Sequence, residues 1–180
     1  MEQATEKKSM SSTAIMNGIV LGVALIAISF LFYMISSDYA KYGNWLGYLV
    51  HIGLLVYAMI QFKNAQEGRL ISYGRSFKLG FLMSLFAGIL VAIYAFIQFT
   101  VIAPEELANA VLIAEDAMLE ANPNMSDEQF DMAMKMSTWM LTPTMMTIMT
   151  LVGVLLRGTI FSLIIAVFVK SDNSKMVVEA

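Results

Sequence analysis

Arg157 is the most unusual residue in this chain that could take part in binding or catalysis. It lies in the stretch "VLLRGTIFSLII" and is the one charged residue deep inside a long hydrophobic run. An arginine at the centre of a membrane helix costs roughly 2.5–3.5 kcal/mol on insertion scales, so a partner or a wet cavity is expected. Its planar guanidinium has five N–H donors, which suit a carboxylate or a phosphate.

The possible partners of Arg157 within the chain are neutral. Its own hydrophobic run and the three other long hydrophobic runs contain no Asp or Glu, which excludes a salt bridge among them. Counting about 1.5 Å of rise per residue places Tyr57, Tyr94 and Ser29 within about 10 Å of its level. Side chains on a helix lean toward its N-terminus. The guanidinium is therefore predicted to lean toward the start of its run, which is the external side in the topology predicted below. Two alternatives remain for the N–H donors of Arg157. They bond to these hydroxyl groups and to backbone carbonyls, or they bond to an anionic ligand, a lipid headgroup or an acidic residue of another membrane subunit.

His51 is the only histidine, and the chain has no cysteine. A catalytic triad or a zinc site would need further ligands that the sequence does not place near it. We predict that His51 bonds to a neighbouring helix, with a proton relay or a quinone contact as the alternative.

The methionines form a second candidate site. Half of the 16 methionines lie between Met125 and Met149, and Met132, Met136 and Met140 recur every four residues on one helical face. Thioethers are soft ligands that suit Cu(I). Because no histidine or cysteine joins this group, the favoured interpretation is that methionine fills an adaptable apolar surface. We therefore predict no cofactor and no enzymatic activity, since no acid–base pair is evident.

The composition of the chain indicates which class of protein carries these residues. The chain has 180 residues, of which 58% are hydrophobic and 14% charged, and its mean hydropathy is +0.70. Soluble domains are about 25% charged, so we predict a single integral membrane domain. Apolar runs of about 17–25 residues are long enough to cross the hydrocarbon layer. Four such runs occupy residues 14–36, 45–62, 79–102 and 143–169, which predicts an all-α bundle of four transmembrane helices.

Basic residues flank these runs unevenly. Only Lys41 and Lys135 lie in the connections after the first and third runs. The other basic residues outside the runs lie on the opposite side: Lys7, Lys8, Lys63, Arg69, Arg75, Lys78, Lys170 and Lys175. The positive-inside rule then places both termini in the cytoplasm.

The segment 103–141 is acidic and predicted to lie outside the cell. It begins with Pro104 at a helix-start position, and Ser126 with Gln129 has the spacing of a capping box for a second helix. We interpret the segment as an amphipathic helical hairpin near the outer surface, with a solvated linker of no separate role as the alternative. Its carboxylates are Glu105, Glu106, Glu115, Asp116, Glu120, Asp127, Glu128 and Asp131.

Small residues recur every four positions in three of the runs. This spacing lets helix backbones approach closely, which favours helix packing in lipid. The predicted packing residues are Gly18 and Gly22 in the first run, Gly80, Ser84 and Gly88 in the third, and Gly158 and Ser162 in the fourth.

Several stretches resemble an uncharacterised four-helix integral membrane family, a domain of unknown function common in Bacteroidota. They are "GRLISYGRSFKLGF", "IAPEELANAV" and "TIFSLIIAVFVK", together with the acidic segment between the last two. The resemblance covers roughly residues 14 to 170. It implies a bacterial inner-membrane location and carries no catalytic residues over to this chain.

The favoured function is therefore an interaction, accessory or scaffold subunit of a membrane assembly. Its expected partners are the lipid bilayer and either further copies of itself or another membrane subunit, and nucleic acid is not expected. The alternative is a small transporter or channel component in which Arg157 contacts an anionic ligand or lipid; a membrane enzyme is a third and weaker hypothesis.

Overall fold

The computed structural model of the protein describes residues 9–35 and 40–171, and the regular elements in these ranges are helical. Lys7, Lys8, Lys175 and the predicted end of the first span at Ser36 lie outside the described residues. The helices are α1 (Met10–Ile35), α2 (Ala40–Asn64), α3 (Tyr73–Ile97), α4 (Glu105–Ala121), α5 (Asp127–Met140) and α6 (Pro143–Val169). A 3-10 turn covers Glu67–Arg69, and a π-helical turn, Gln98–Ile102, extends α3.

Four of the helices are long and apolar enough to cross a membrane: α1, α2, α3 with its π-helical turn, and α6. The bounds of α6 are those predicted from the sequence. In contrast, α3 begins at Tyr73 rather than near residue 79. The hydropathy pattern ends at Lys78, but a helix can continue through charged residues once it leaves the apolar layer. Its first turn is stabilised by Ser72, whose hydroxyl accepts a hydrogen bond from the Arg75 N–H at 3.4 Å.

The chain divides into two compact units, and the first comprises residues up to Val91 together with those from Val152 onward. In this unit the small residues of α1 lie against α3. A Cβ added at Gly18 would come within 2.8 Å of the Met83 carbonyl oxygen, and one at Gly22 within 3.3 Å of the Ala87 Cα. Any larger side chain at these positions would separate the two helices.

One buried cluster shows in which direction the long helices run. Ala14 near the start of α1, Phe62 near the end of α2, Leu79 near the start of α3 and Val169 at the end of α6 belong to the same cluster. The helices therefore alternate in direction along the chain, with α2 and α6 running the same way. We call this the basic end, because Lys63, Arg69, Arg75, Lys78 and Lys170 all lie in the segments that meet there.

Hydrogen bonds fasten α6 to the connection between α2 and α3 at the basic end. The Lys63 ammonium donates to the Val169 carbonyl at 2.9 Å. The Ser171 N–H donates to the Ile71 carbonyl at 2.9 Å, and the Ile71 N–H donates to the Ser171 hydroxyl at 3.0 Å. A helix leaves its last carbonyls without intrahelical donors, and a lysine near that end satisfies one and interacts favourably with the helix dipole.

The second unit, Ala92–Leu151, contains α4 and α5, which pack against each other. The capping box at the start of α5 is present: the Ser126 hydroxyl accepts from the Gln129 N–H, and the Gln129 side chain accepts from the Ser126 N–H. Phe130, Met134 and Leu141 are half-buried on the inner side of α5. The predicted pair of amphipathic helices therefore forms between residues 103 and 141.

Candidate functional site

The helices α3 and α6 interlock through two glycine–serine pairs. Gly158 lies against the Ser84 side chain, and Gly80 lies against the Ser162 side chain. At both glycines an added Cβ would overlap the facing serine hydroxyl. All four residues are buried. The spacing of four residues on each helix thus produces a reciprocal arrangement, in which each serine fills the space left by the glycine opposite.

His51 joins α2 to this contact. It is fully buried, and its Nε2 lies 3.2 Å from the Ser84 hydroxyl. That hydroxyl donates its single proton to the Gly80 carbonyl at 2.9 Å, so the Nε2 of His51 must be the donor in the His51–Ser84 hydrogen bond. The ring also packs edge-on against Phe161, with 5.6 Å between the centroids. His51 on α2 therefore forms a hydrogen bond with the neighbouring helix α3, which is the contact predicted from the sequence.

Arg157 immediately precedes the glycine that contacts Ser84. Its guanidinium carbon lies 4.9 Å from the centroid of the Tyr48 ring on α2, a cation–π contact. The residue is half-buried, and its Nε is buried without a hydrogen-bond partner among the described residues. A cation–π contact contributes about 0.5–2 kcal/mol. The Tyr48 ring therefore stabilises one face of the guanidinium, but it provides no acceptor for the Nε–H donor.

Tyr48 is the neighbour of Arg157 that sequence reasoning missed. The aromatic residue proposed on α2, Tyr57, is exposed instead, and its hydroxyl accepts a hydrogen bond from the Gln61 amide at 3.4 Å. Ser29 is exposed on α1. Tyr94 lies near the end of α3 in the second unit and is half-buried.

Because α2 and α6 run in the same direction, Arg157 contacts Tyr48 rather than Tyr57. Phe62 and Val169 share one cluster, and counted from them Arg157 lies about 18 Å, Tyr48 about 21 Å and Tyr57 about 8 Å along their helices. The arginine side chain leans toward the start of α6, which is the direction of Tyr48. The spacing of Tyr48 and Arg157 from the ends of their helices can be read from the sequence. It predicts their contact only when the relative direction and register of α2 and α6 are known.

The methionine group predicted as a weak Cu(I) candidate lies on α5. Met132, Met136 and Met140 are all exposed on one side of this helix, with Trp139 beside them. In the part of the chain that the structure describes, no three His, Cys, Asp or Glu side chains are grouped so that they could hold a metal ion. Among the other predicted packing residues, Gly88 is buried on α3.

These features define the class as an all-helical protein with four helices that are candidate membrane spans. The model of the family described as "Protein of unknown function (DUF4199)" matches residues 16–171, and the chain belongs to this family. No curated protein and no solved structure matches the chain. The matched range includes Tyr48, His51, Ser84 and Arg157.

Proposed function

We propose that this protein is a non-enzymatic accessory or scaffold subunit of a bacterial inner-membrane assembly, and that Arg157 binds an acidic side chain of another membrane subunit. The observation that carries the proposal is the position of Arg157. It lies near the middle of α6, over the Tyr48 ring, in a chain whose four long apolar helices contain no carboxylate.

The energetics favour an additional anion. Inserting a central arginine costs roughly 2.5–3.5 kcal/mol, a figure that already includes the desolvation of its N–H donors. The Tyr48 contact offsets about 0.5–2 kcal/mol of this cost. A carboxylate could form a charge-assisted, bidentate pair with the guanidinium. The four long helices of this chain cannot supply one, so a second polypeptide is the natural source.

The side of α6 around Arg157 is open to such a partner. At about 100° per residue, Gly153, Ile160 and Ile164 lie within about 60° of Arg157 around the helix. All three are exposed, and a Cβ added at Gly153 would meet no other atom within 4 Å. A glycine on a lipid-facing surface allows a second helix to approach closely. This face therefore combines a cation with a flat surface next to it.

The orientation in the membrane is part of the same proposal. The positive-inside rule puts the basic end, with Lys63, Arg75 and Lys170, on the cytoplasmic side. Both termini are then cytoplasmic, and the acidic segment 103–141 is external. With this orientation the guanidinium of Arg157 leans toward the external side of the membrane.

The experiment compares complexes purified from native membranes in a mild detergent. We expect a second membrane protein to copurify with the wild type, to be retained by Tyr57→Phe, and to be lost with Arg157→Leu and with Gly153→Leu. Thermal unfolding of each purified variant separates loss of the partner from loss of the fold. An unchanged set of copurifying proteins with stably folded Arg157→Leu would contradict the proposal.

The same purified chain tests the alternative function. In proteoliposomes that contain only this protein, we expect no anion uptake that depends on Arg157. Uptake that Arg157→Leu abolishes and Tyr57→Phe preserves would instead identify a transporter or channel component with an anionic ligand at Arg157.

A further inference from the structure

The helix α5 has a second apolar face that nothing in its own unit covers. The helix packs against α4, and Phe130 and Met134 are half-buried on its inner side. On the other side Met132 is 72% exposed, Met136 is 66% exposed and Trp139 is 58% exposed. We call Met132, Met136, Trp139 and Met140 the outer face of α5.

The outer face is separate from the charges of the helix. At about 100° per residue, its four side chains occupy a sector of about 100° around the axis. The charged residues of α5 occupy the adjoining sector, which also spans about 100°. These are Asp127, Glu128, Asp131 and Lys135. The surface of α5 thus has three sectors: a half-buried one, a charged one and an exposed apolar one. The exposed apolar sector is not covered by any of the described residues.

Continuity with α6 indicates what covers the outer face. α5 ends at Met140 and α6 begins at Pro143. With at most about 3.8 Å between successive Cα atoms, the end of α5 lies within about 11 Å of the first residue of a helix that can cross the membrane. Ile148 and Met149, in the second turn of α6, are also exposed apolar residues. When α6 crosses the membrane, the end of α5 must lie at the level where the hydrocarbon layer begins.

The residue types of the outer face fit this level of a bilayer. Tryptophan is enriched at the boundary between headgroups and acyl chains, and Trp139 lies four residues before Pro143. Methionine side chains adapt to irregular apolar surroundings. A helix with an apolar sector and a charged sector binds in the plane of this boundary, with its apolar side buried by about 5–10 Å.

We propose that the outer face of α5 binds the lipid bilayer, so that α5 lies in the membrane interface beside the start of α6. This proposal requires that α6 crosses the membrane, and it does not depend on a partner for Arg157. The insertion is driven by apolar area, because α5 has three acidic residues and one basic residue. Anionic lipid repels this helix, whereas zwitterionic lipid does not.

Single-cysteine labelling of the full-length chain tests the proposal, since the natural sequence has no cysteine. An environment-sensitive fluorophore is attached at Met136→Cys on the outer face and, as the matched control, at Asp131→Cys in the charged sector. Each protein is reconstituted in phosphatidylcholine vesicles, with or without a phosphatidylcholine that carries a nitroxide near the top of its acyl chain. Ile148→Cys reports that α6 is inserted.

We expect blue-shifted emission at position 136 and quenching by the nitroxide lipid that exceeds the quenching at position 131 by about twofold or more. Replacing half of the lipid by phosphatidylglycerol lowers this difference, and added salt restores it. Water-like emission at both positions would overturn the proposal. Blue-shifted emission at 136 without nitroxide quenching would also overturn it, because a second copy or another protein would then cover the face.

Discussion

At the scale of single residues, the packing of α3 on α6 depends on the missing side chain at Gly158. Ser84 occupies the space where a Cβ would lie, and the His51 Nε2 would be 3.2 Å from that atom. The same serine accepts the hydrogen bond from His51 and donates to the Gly80 carbonyl. A change at Gly158 therefore disturbs packing and hydrogen bonding together.

Gly158→Ala is expected to destabilise the protein by up to about 2 kcal/mol, because an overpacking cost of about 1–3 kcal/mol outweighs the gain of about 1 kcal/mol in helix propensity. The matched control is Gly153→Ala on the same helix, where a Cβ meets no neighbour within 4 Å. We expect this control to be neutral or slightly stabilising. Thermal unfolding in detergent measures both changes, and equal stability of the two variants would contradict the described contact.

The cation–π contact predicts a difference between two tyrosines of α2. Tyr48→Leu removes the ring beneath the Arg157 guanidinium and is expected to cost about 0.5–2 kcal/mol. Tyr48→Phe keeps the ring and should cost less. Tyr57→Leu, at an exposed position, should leave the unfolding temperature nearly unchanged. A larger loss at Tyr57 than at Tyr48 in the same unfolding assay would contradict the contact between Tyr48 and Arg157.

At the scale of helices, local sequence signals predicted some of the bounds but not the contacts between elements. The bounds of α6 and the capping box of α5 follow from local signals, namely an uninterrupted apolar run and Ser126 with Gln129. The start of α3 could not be predicted from hydropathy, since its first turns contain Arg75 and Lys78. Tyr48 was missed because the choice between two tyrosines depends on how α2 and α6 are aligned.

The end of α6 provides a prediction at this scale. Lys63→Met removes the donor to the Val169 carbonyl, which should loosen the last turn of α6 and its attachment to Ile71. We expect faster hydrogen exchange of the Lys170 and Ser171 amides, with a loss of about 0.3–1 kcal/mol in their protection. Lys78→Met, at an exposed position of α3, is the control. Unchanged exchange at both amides in Lys63→Met would contradict a capping role.

At the scale of the whole molecule, the four long helices bring the basic residues together at one end. The acidic residues between 103 and 131 belong to the connection from α3 to α6. The proposed orientation, with both termini in the cytoplasm, follows from the position of the basic residues. The all-helical architecture with four candidate spans could be predicted from composition and apolar run length, whereas the contact between Arg157 and Tyr48 also depends on how α2 and α6 are aligned.

Accessibility labelling tests the orientation. In intact cells, a membrane-impermeant thiol reagent should label Glu115→Cys but should label Gly74→Cys only after the membrane is opened. Gly74 is exposed, and a Cβ added there meets no atom within 4 Å. Neither change removes a basic residue, so neither should alter the orientation. The reverse pattern would show that the basic end faces outward and would overturn the proposed topology.

Site-specific photo-crosslinking in native membranes from Ile160, an exposed residue one turn from Arg157, can identify the proposed partner of Arg157. We predict an adduct with another membrane protein whose crosslinked segment contains an Asp or Glu inside an apolar helix, and the loss of this adduct in Arg157→Leu. A probe at Val23, exposed on α1, should give adducts that do not depend on Arg157. If Ile160 gives only lipid adducts, or protein adducts that persist in Arg157→Leu, then Arg157 does not bind a partner subunit.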